Sequence, residues 1–147
     1  YESSSSVVPN DFDGDGDIDL FVGGRLIPWK YGLPATSRLF RNRGDGTFED
    51  ATPTAAPDLQ NVGMVTDAAW ADFDVDGDDD LIVVGDWMPI RFFRNDSGSF
   101  TPADQGCGDT SGWWTRIEPG DVDDDGDVDF VVGNFGRNPA TLRLAHP

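Results

Sequence analysis

The sequence has few of the residues that build disulfides, zinc sites or membrane spans. It contains one cysteine, Cys107, so no disulfide can form within the chain, and one histidine, His146. Zinc is bound mainly by cysteine and histidine side chains, so a chain with one of each is not expected to be a zinc protein. No apolar run reaches the roughly 18 residues of a candidate transmembrane helix, so membrane insertion is not expected.

Basic residues are also scarce. Lysine and arginine number 10 against 28 acidic residues, which gives a formal net charge of −18. Nucleic acid and anionic membranes carry charge of the same sign, so neither is an expected partner. Hydrophobic residues make up 37% of the 147-residue chain and aromatic residues 12%. This composition is sufficient for a buried core, and we expect one folded repeat domain spanning 1–147.

A nine-residue acidic segment occurs three times, at 11–19, 72–80 and 121–129. Each copy, called an acidic loop below, has aspartate at positions one, three, five, seven and nine and glycine at position six. Carboxylates this crowded repel one another unless a cation neutralises them. The candidate metal ligands are Asp11, Asp13, Asp15, Asp17, Asp19, Asp72, Asp74, Asp76, Asp78, Asp80, Asp121, Asp123, Asp125, Asp127 and Asp129.

Short β-branched and aromatic segments surround the acidic loops and are typical of strands. The segments that directly follow the loops are 20–22, 81–84 and 130–132, and those that precede them are 4–8, 64–71 and 114–117. In the first two copies a hairpin comes next, at 38–48 and 91–100, with Asn, Asp and Gly at its turn. The repeating unit is therefore a strand, an acidic loop, a strand and a hairpin.

The spacing of the loops predicts the architecture. We expect two full units, approximately 1–62 and 63–110, and an incomplete third unit at 111–147. The loops begin 61 and 49 residues apart, and the longer first spacing comes mainly from an insertion at 25–37. No stretch longer than a turn or two has helical periodicity, so the predicted fold class is all-β. Short strands in regularly repeated groups are typical of β-propeller blades or a related open β-array.

The acidic loops differ from EF-hand loops, which carry a glutamate at position twelve. That position is occupied here by Val22, Val83 and Val132, inside expected strands. The loops still supply oxygen ligands suited to calcium, with side chains from positions one, three, five and nine and a backbone carbonyl from position seven. Magnesium prefers stricter octahedral geometry, so we expect about three Ca²⁺ per chain. Acidic turns without metal are the alternative, which the threefold repetition disfavours.

The loops followed by apolar strands that end at glycine resemble FG-GAP/VCBS repeats, the blades of integrin-α-type β-propellers. Segments 38–50, 85–90, 111–114 and 132–134 more closely resemble bacterial relatives of cartilage acidic protein. The resemblance covers nearly the whole chain, and it implies calcium binding through positions one, three, five, seven and nine. Propellers of that family typically have about seven blades, whereas this chain has two units and part of a third. A partial propeller or an open β-array is therefore expected.

The five tryptophans include candidates for a sugar-stacking surface. Trp70 and Trp87 adjoin expected strands, so we place both in the core. Trp113 and Trp114 are adjacent in a strand and must face opposite sides. Trp29 lies in the insertion. Core packing is the favoured role for most of these side chains, and sugar binding is the alternative.

Two short motifs have simple structural explanations. The tripeptide Arg-Gly-Asp at 43–45 matches an integrin-recognition sequence, but glycine and aspartate also suit a hairpin turn. Asn95 begins an N-glycosylation acceptor pattern in another expected turn.

The expected function is an extracellular calcium-binding repeat module for binding or adhesion, in which calcium is structural. Secretion or cell-surface display follows from the millimolar calcium outside cells, which suits loops of weak affinity. An enzyme is not expected, because no nucleophile has a recognisable setting and His146 is the penultimate residue. One alternative is a self-assembling subunit of a ring or filament, which associates through open strand edges. Another is a lectin-like propeller. The protein or glycan partner is not identified.

Overall fold

The computed structural model describes residues 2–30, 32–136 and 140–142, the last three by their backbone. Within these ranges the chain is all-β, with eleven strands in antiparallel sheets and no closed barrel. The strands are β1 Ser3–Asn10, β2 Asp19–Leu26, β3 Arg38–Asn42, β4 Phe48–Asp50, β5 Met64–Ala71, β6 Asp80–Met88, β7 Arg91–Asp96, β8 Ser99–Ala103, β9 Gly112–Gly120, β10 Asp129–Asn134 and β11 Ala140–Leu142.

Each repeat unit is an antiparallel meander. The first unit has the strand order β1-β2-β3-β4, the second β5-β6-β7-β8 and the third β9-β10-β11. Two register pairs, Asp86 with Trp113 and Met88 with Gly112, join β6 to β9 and so connect the second and third sheets. The predicted strands are all present. The unit boundaries proposed from the sequence stay a prediction, and the end of the third unit lies partly outside the described residues.

The first strands of the three units lie side by side. Strands β1, β5 and β9 line a common groove of about 650 Å³. The same contact links each strand to the next: Ser5 Oγ donates to the Val65 carbonyl at 2.5 Å, and Thr66 Oγ1 donates to the Trp114 carbonyl at 2.7 Å. Ser5 and Thr66 occupy equivalent positions of their units. The repetition in sequence is therefore a repetition of contacts in space.

Two hydrophobic cores lie between successive units. The first includes Phe21, Leu81 and Val83, and the second includes Ile82 and Val84. Since side chains alternate across a strand, β6 contributes residues to both cores. This burial on both faces explains why 81–84 is continuously apolar rather than alternating, and it makes β6 the strand on which both cores depend.

The structure corrects the predicted location of one tryptophan. Trp87 is 54% exposed rather than buried in the core. Trp70 packs against the first core, and its Nε1 donates to the Val8 carbonyl at 3.3 Å. Trp114 is buried and Trp113 is 38% exposed, which confirms that they face opposite sides. Trp87 differs because its backbone has a φ of 57°, so the alternation of an extended strand does not hold there.

A short helical segment connects the first two units. It consists of a helix, α1, at Thr52–Ala55 and a 3₁₀ turn at Pro57–Asn61, each with proline in its first turn. Ala55 and Leu59 are buried in the first core. The segment is too short to show helical periodicity, and its stability comes from this packing.

Asn95 links the second unit to the first. Its side chain is 1% exposed, and Nδ2 donates to the carbonyls of Phe12 at 2.8 Å and Asp79 at 3.1 Å. Its Oδ1 accepts from the Gly98 N–H at 2.8 Å. Because all of these bonds are made in the folded chain, the amide nitrogen is not accessible for glycosylation. The acceptor pattern noted in the sequence has a structural role instead.

Replacing Asn95 by alanine is expected to destabilise the protein by about 2–4 kcal/mol, because three hydrogen bonds are lost at a buried site. Asn42 occupies the equivalent position in the first unit, and among the described residues its side chain bonds only within that unit, at exposed sites. Asn42→Ala is therefore the matched control and should cost clearly less. Urea unfolding in excess calcium measures both, and an equal loss of stability would contradict the linking role of Asn95.

Candidate metal centre

The aspartate at position one organises each acidic loop. The two oxygens of Asp11 accept the N–H groups of positions five and six at 3.1 and 2.9 Å. Asp72 makes the same pair of bonds at 3.1 and 2.9 Å, and Asp121 does so at 3.2 and 3.0 Å. Position one therefore curls the loop around its own carboxylate in all three copies.

Two positions of each loop have left-handed backbone. Position six is glycine, with φ of 94° at Gly16, 100° at Gly77 and 92° at Gly126. Position four is also left-handed, although only the first loop has glycine there. Gly14 has φ 72°, whereas Val75 has 62° and Asp124 has 64°. A β-branched residue is strained in this region, so the second loop retains strain that glycine removes from the first.

The aspartate at position nine connects the loop to its sheet. Asp80 is fully buried, and its two oxygens accept the N–H groups of Phe73 at 3.0 Å and Asn95 at 2.7 Å. Asp19 makes the equivalent bonds to Phe12 and Asn42 in the first unit, at 3.3 and 2.7 Å. In the third unit Asp129 accepts from Val122 at 3.0 Å. Position nine thus joins the start of its loop to the hairpin in the first two units.

The folded loops bring three carboxylates together in each unit. Positions one and three belong to every group, joined by position five in the first loop and position nine in the other two. One oxygen from each member lies within 4.8 Å of the others. The groups are Asp11, Asp13 and Asp15; Asp72, Asp74 and Asp80; and Asp121, Asp123 and Asp129.

The remaining predicted ligands have other contacts within the described chain. At position five, Asp76 and Asp125 each accept the N–H of position seven at 3.0 Å, as Asp15 does at 2.9 Å. At position seven, Asp78 Oδ2 accepts from Ser97 N at 2.8 Å. Asp17 lies against the hairpin turn at Gly44, and Asp127 also lies outside the three groups. This placement leaves the backbone carbonyl as the group that position seven can offer an ion.

Burial and mutual repulsion disfavour the charged form of several of these aspartates. Burial raises the pKa of Asp80 to about 6, and the N–H groups of Asn95 and Phe73 oppose the rise. Burial also raises the pKa of Asp19. For Asp74 burial raises the pKa first, the charges of Asp76 and Asp72 add to it, and Arg94 opposes it.

A raised pKa means that the folded protein holds these protons more tightly than the unfolded chain. Without a cation, the contribution of Asp80 to the stability of the folded protein is therefore greatest below pH 3.8 and is lost as the pH rises through about 6. A divalent cation at the site reverses this preference, because it stabilises the carboxylate.

An arginine from the third strand of the unit lies beside position three. Arg41 Nε is 2.6 Å from Asp13 Oδ2. The charge of Arg94, at the equivalent position, opposes the rise in the pKa of Asp74. One oxygen remains unsatisfied: Asp13 Oδ1 is buried and has no hydrogen-bond partner among the described residues. An oxygen of this kind, inside a group of three carboxylates, fits a cation. The donor set is entirely oxygen, which suits calcium rather than zinc.

The hairpin of the second unit covers the loop of the first. Gly98 is so close to Asp13 that a Cβ atom at position 98 would lie 2.8 Å from the Asp13 Cβ. Asn95 contributes to the same contact through its bond to the Phe12 carbonyl. Asn95, Gly98 and Arg41 were not among the site residues predicted from the sequence. The recurrence of Arg-Asn at 41–42 and 94–95 was the available signal.

The Arg-Gly-Asp tripeptide at 43–45 lies in the exposed turn of the first hairpin, and its charged side chains bond within that hairpin. Arg43 Nη2 pairs with Glu49 at 2.6 Å, and Asp45 Oδ1 accepts from Thr47 N at 2.9 Å. The hydrogen bonds from Thr47 lower the pKa of Asp45. These contacts support the interpretation of the tripeptide as a turn.

Val75→Gly is expected to stabilise the protein by about 1 kcal/mol, because glycine relieves left-handed strain and little packing is lost from a side chain that is 72% exposed. Val75→Ala keeps a Cβ and serves as the control, which should gain much less. Urea unfolding of both variants in excess calcium tests the effect. If Val75→Gly is no more stable than Val75→Ala, the backbone at position four carries no strain.

Comparison with known proteins identifies the repeats. The model of the FG-GAP-like repeat matches the chain twice, over residues 11–83 and 72–132. No curated protein and no solved structure gives a significant match. None of the described helices is long and apolar enough to cross a membrane. The three acidic loops and most of the strands lie within the matched residues, and the chain belongs to the FG-GAP-like repeat family.

Proposed function

We propose that the chain is an extracellular, calcium-binding repeat module for binding or adhesion, that it is not an enzyme, and that calcium is structural in it. The observation that carries the proposal is the assembly of positions one and three, with a third carboxylate, in all three acidic loops. The unsatisfied oxygen of Asp13 supports it. FG-GAP repeats are typical of extracellular proteins, which favours a calcium-rich location.

Calcium suits these loops for geometric reasons. Ca²⁺ accepts six to eight oxygen ligands in flexible arrangements, whereas Mg²⁺ requires a tighter octahedron and retains water. Each loop offers carboxylates at three different depths, from exposed Asp15 to fully buried Asp80, and a carbonyl at position seven. The calcium ion would join the loop to its sheet through position nine and would screen the repulsion among the remaining aspartates.

The proposed role is structural and not catalytic because the ion would occupy a site formed within one loop. Position-one bonds, position-nine bonds and the neighbouring hairpins hold the carboxylates, and all of these contacts belong to the framework of the sheets. A framework stiffened in this way presents exposed turns and strand ends to a partner, as binding modules commonly do. With a net charge of −18, the expected partners exclude nucleic acid and anionic membranes.

Calorimetric titration of the metal-free protein with CaCl₂ should give about three sites per chain. Asp74→Asn removes position three of the second loop and should leave about two sites, because each cage is local. Asp124→Asn is the matched control: it also removes an aspartate from an acidic loop, but position four is not in the ligand group. This variant should keep all the sites of the parent. A stoichiometry near zero for the parent would refute calcium binding.

We also propose a second, compatible role, self-association through the free sides of the terminal units. The observation that favours it is the repeated hydroxyl contact between first strands. Ser5 and Thr66 each donate to the next unit, whereas Thr115, at the equivalent position, donates only to the Gly133 carbonyl in its own unit among the described residues. The Ser4 carbonyl of a second copy is the equivalent acceptor. A head-to-tail contact of this kind builds rings or filaments.

Light scattering of the calcium-loaded chain should show an oligomer, because no described strand covers the outer sides of the first and third units. Thr115→Arg places a bulky charge in the contact and should favour the monomer. Thr101→Arg, at an exposed site on β8, is the control and should not change the oligomer. A parent protein that stays monomeric at high concentration contradicts the self-association proposal and leaves the calcium proposal intact.

A further inference from the structure

Three exposed aromatic side chains form a row at the end of the sheets away from the acidic loops. The row consists of Trp87 near the end of β6, Trp113 near the start of β9 and Phe135 directly after β10. The ring centroids of Trp87 and Trp113 are 6.0 Å apart, and those of Trp113 and Phe135 are 5.1 Å apart. The three residues are 54%, 38% and 70% exposed. We call these residues the aromatic row.

The repeat itself does not require these aromatic residues. Counted from the acidic loop of each unit, Trp87 corresponds to Leu26 and Gly136, Trp113 to Ser3 and Met64, and Phe135 to Arg25 and Asp86. None of the equivalent residues is aromatic, although the described strands of each unit form the same antiparallel meander. The row is therefore a local feature of the junction between the second and third units, and the fold alone does not explain it.

Trp87 is held in an unfavourable conformation. Its φ of 57° places a large side chain in the left-handed region, where the Cβ clashes with its own backbone. Burial does not offset this strain, since more than half of the residue is exposed. Strained, exposed residues of this kind cluster at ligand sites, where the strain positions a side chain for contact.

Polar groups border the aromatic row. Asp86 precedes Trp87 and is the register partner of Trp113. It is 3% exposed, its Oδ2 accepts from Arg25 Nε at 3.1 Å, and its Oδ1 is buried without a hydrogen-bond partner among the described residues. Arg25 also lines a groove of about 310 Å³ whose other polar groups are mainly hydroxyls, from Ser3, Ser4, Ser5, Thr66 and Thr115.

We propose that the aromatic row and this hydroxyl-lined groove bind neutral carbohydrate. A pyranose ring has an apolar face of C–H groups that stacks on an exposed aromatic ring, and hydroxyls around its rim that bond to polar side chains. The inference names a ligand class for the proposed binding function and rests on it, but the site is separate from the acidic loops.

Charge and area both favour this ligand. Arg25 is the one cation among the described residues that line the groove, and it is already paired with Asp86. The chain as a whole is strongly negative, which also disfavours an acidic glycan. Large aromatic side chains bury roughly 150–250 Å² each, so the exposed parts of the row amount to about 300–400 Å². A stable protein interface buries about 800 Å² per partner, which is more than the row provides.

Among the described residues, no neighbouring unit covers the row. Units pack through their sides, as β1, β5 and β9 do around the common groove, whereas the row lies at strand ends. Strand β6 begins at Asp80 and β10 begins at Asp129, both at the acidic loops, so Trp87 and Phe135 lie at the opposite ends of these strands. A further unit packed beside the third would therefore leave the aromatic row accessible, whereas Thr115 at the edge of the groove would lie at that contact.

The test is calorimetric titration of the calcium-loaded full chain with cellohexaose, laminarihexaose, mannohexaose and chitohexaose, and with oligogalacturonate as the acidic comparison. At least one neutral oligosaccharide should bind, and the acidic one should not. Trp87→Ala and Trp113→Ala should each weaken binding by roughly tenfold, because each removes a stacking surface. Trp29→Ala is the matched control, since Trp29 is fully exposed and stands outside the row.

Circular dichroism and thermal melts of the variants verify that they remain folded. The proposal is overturned if no neutral oligosaccharide binds, if Trp29→Ala weakens binding as much as the row variants, or if the acidic glycan binds best. It is also overturned if the row variants abolish an oligomer, which would make the row a protein interface. Calcium binding without glycan binding would reject this inference alone, and loss of both would reject the proposed function as well.

Discussion

Each acidic loop holds five or six aspartates within nine residues, and the rest of the structure is arranged around that concentration of charge. Backbone N–H groups stabilise part of this negative charge, since they donate hydrogen bonds to the carboxylates at positions one, five and nine. Arg41 neutralises one carboxylate further. These contacts fix the loop shape but do not remove the repulsion. The raised pKa values of Asp80 and Asp74 show that the fold holds these charges at a cost that a cation would reverse.

The free-energy cost of holding these charges affects more than one unit, because the loops are connected to both hydrophobic cores. Asp80 begins β6, whose side chains enter the first and second cores alternately. Asp80 also bonds to Asn95, which reaches the first loop through the Phe12 carbonyl. A change in the charge of one loop therefore alters the stability of two units. This connection gives a physical reason for the repeat: three similar loops stabilise a common framework and not three independent blades.

The all-β class, the strands and the acidic loops were predictable from the sequence because fixed spacing carries that information. The left-handed position four could have been inferred from Gly14, but Val75 and Asp124 conceal it in the other loops. The exposure of Trp87 could not have been found, since it depends on a single backbone angle at the end of β6. Asn95 looked like a glycosylation acceptor because the partner that joins it to the first unit, the Phe12 carbonyl, is far away in sequence. The local sequence pattern predicts the repeat units, whereas the contacts between units can be identified only from the folded structure.

The most direct test of the account is thermal unfolding of the chain in excess calcium, in excess magnesium and in chelator. One ion that binds only the folded state adds about 2.7 kcal/mol at a hundredfold excess over its Kd, so several loops together would contribute much of the stability of a typical domain. The account predicts a large rise in Tm with calcium relative to chelator and a smaller rise with magnesium. Three coincident melting curves would mean that the loops are ordinary acidic turns and would contradict it.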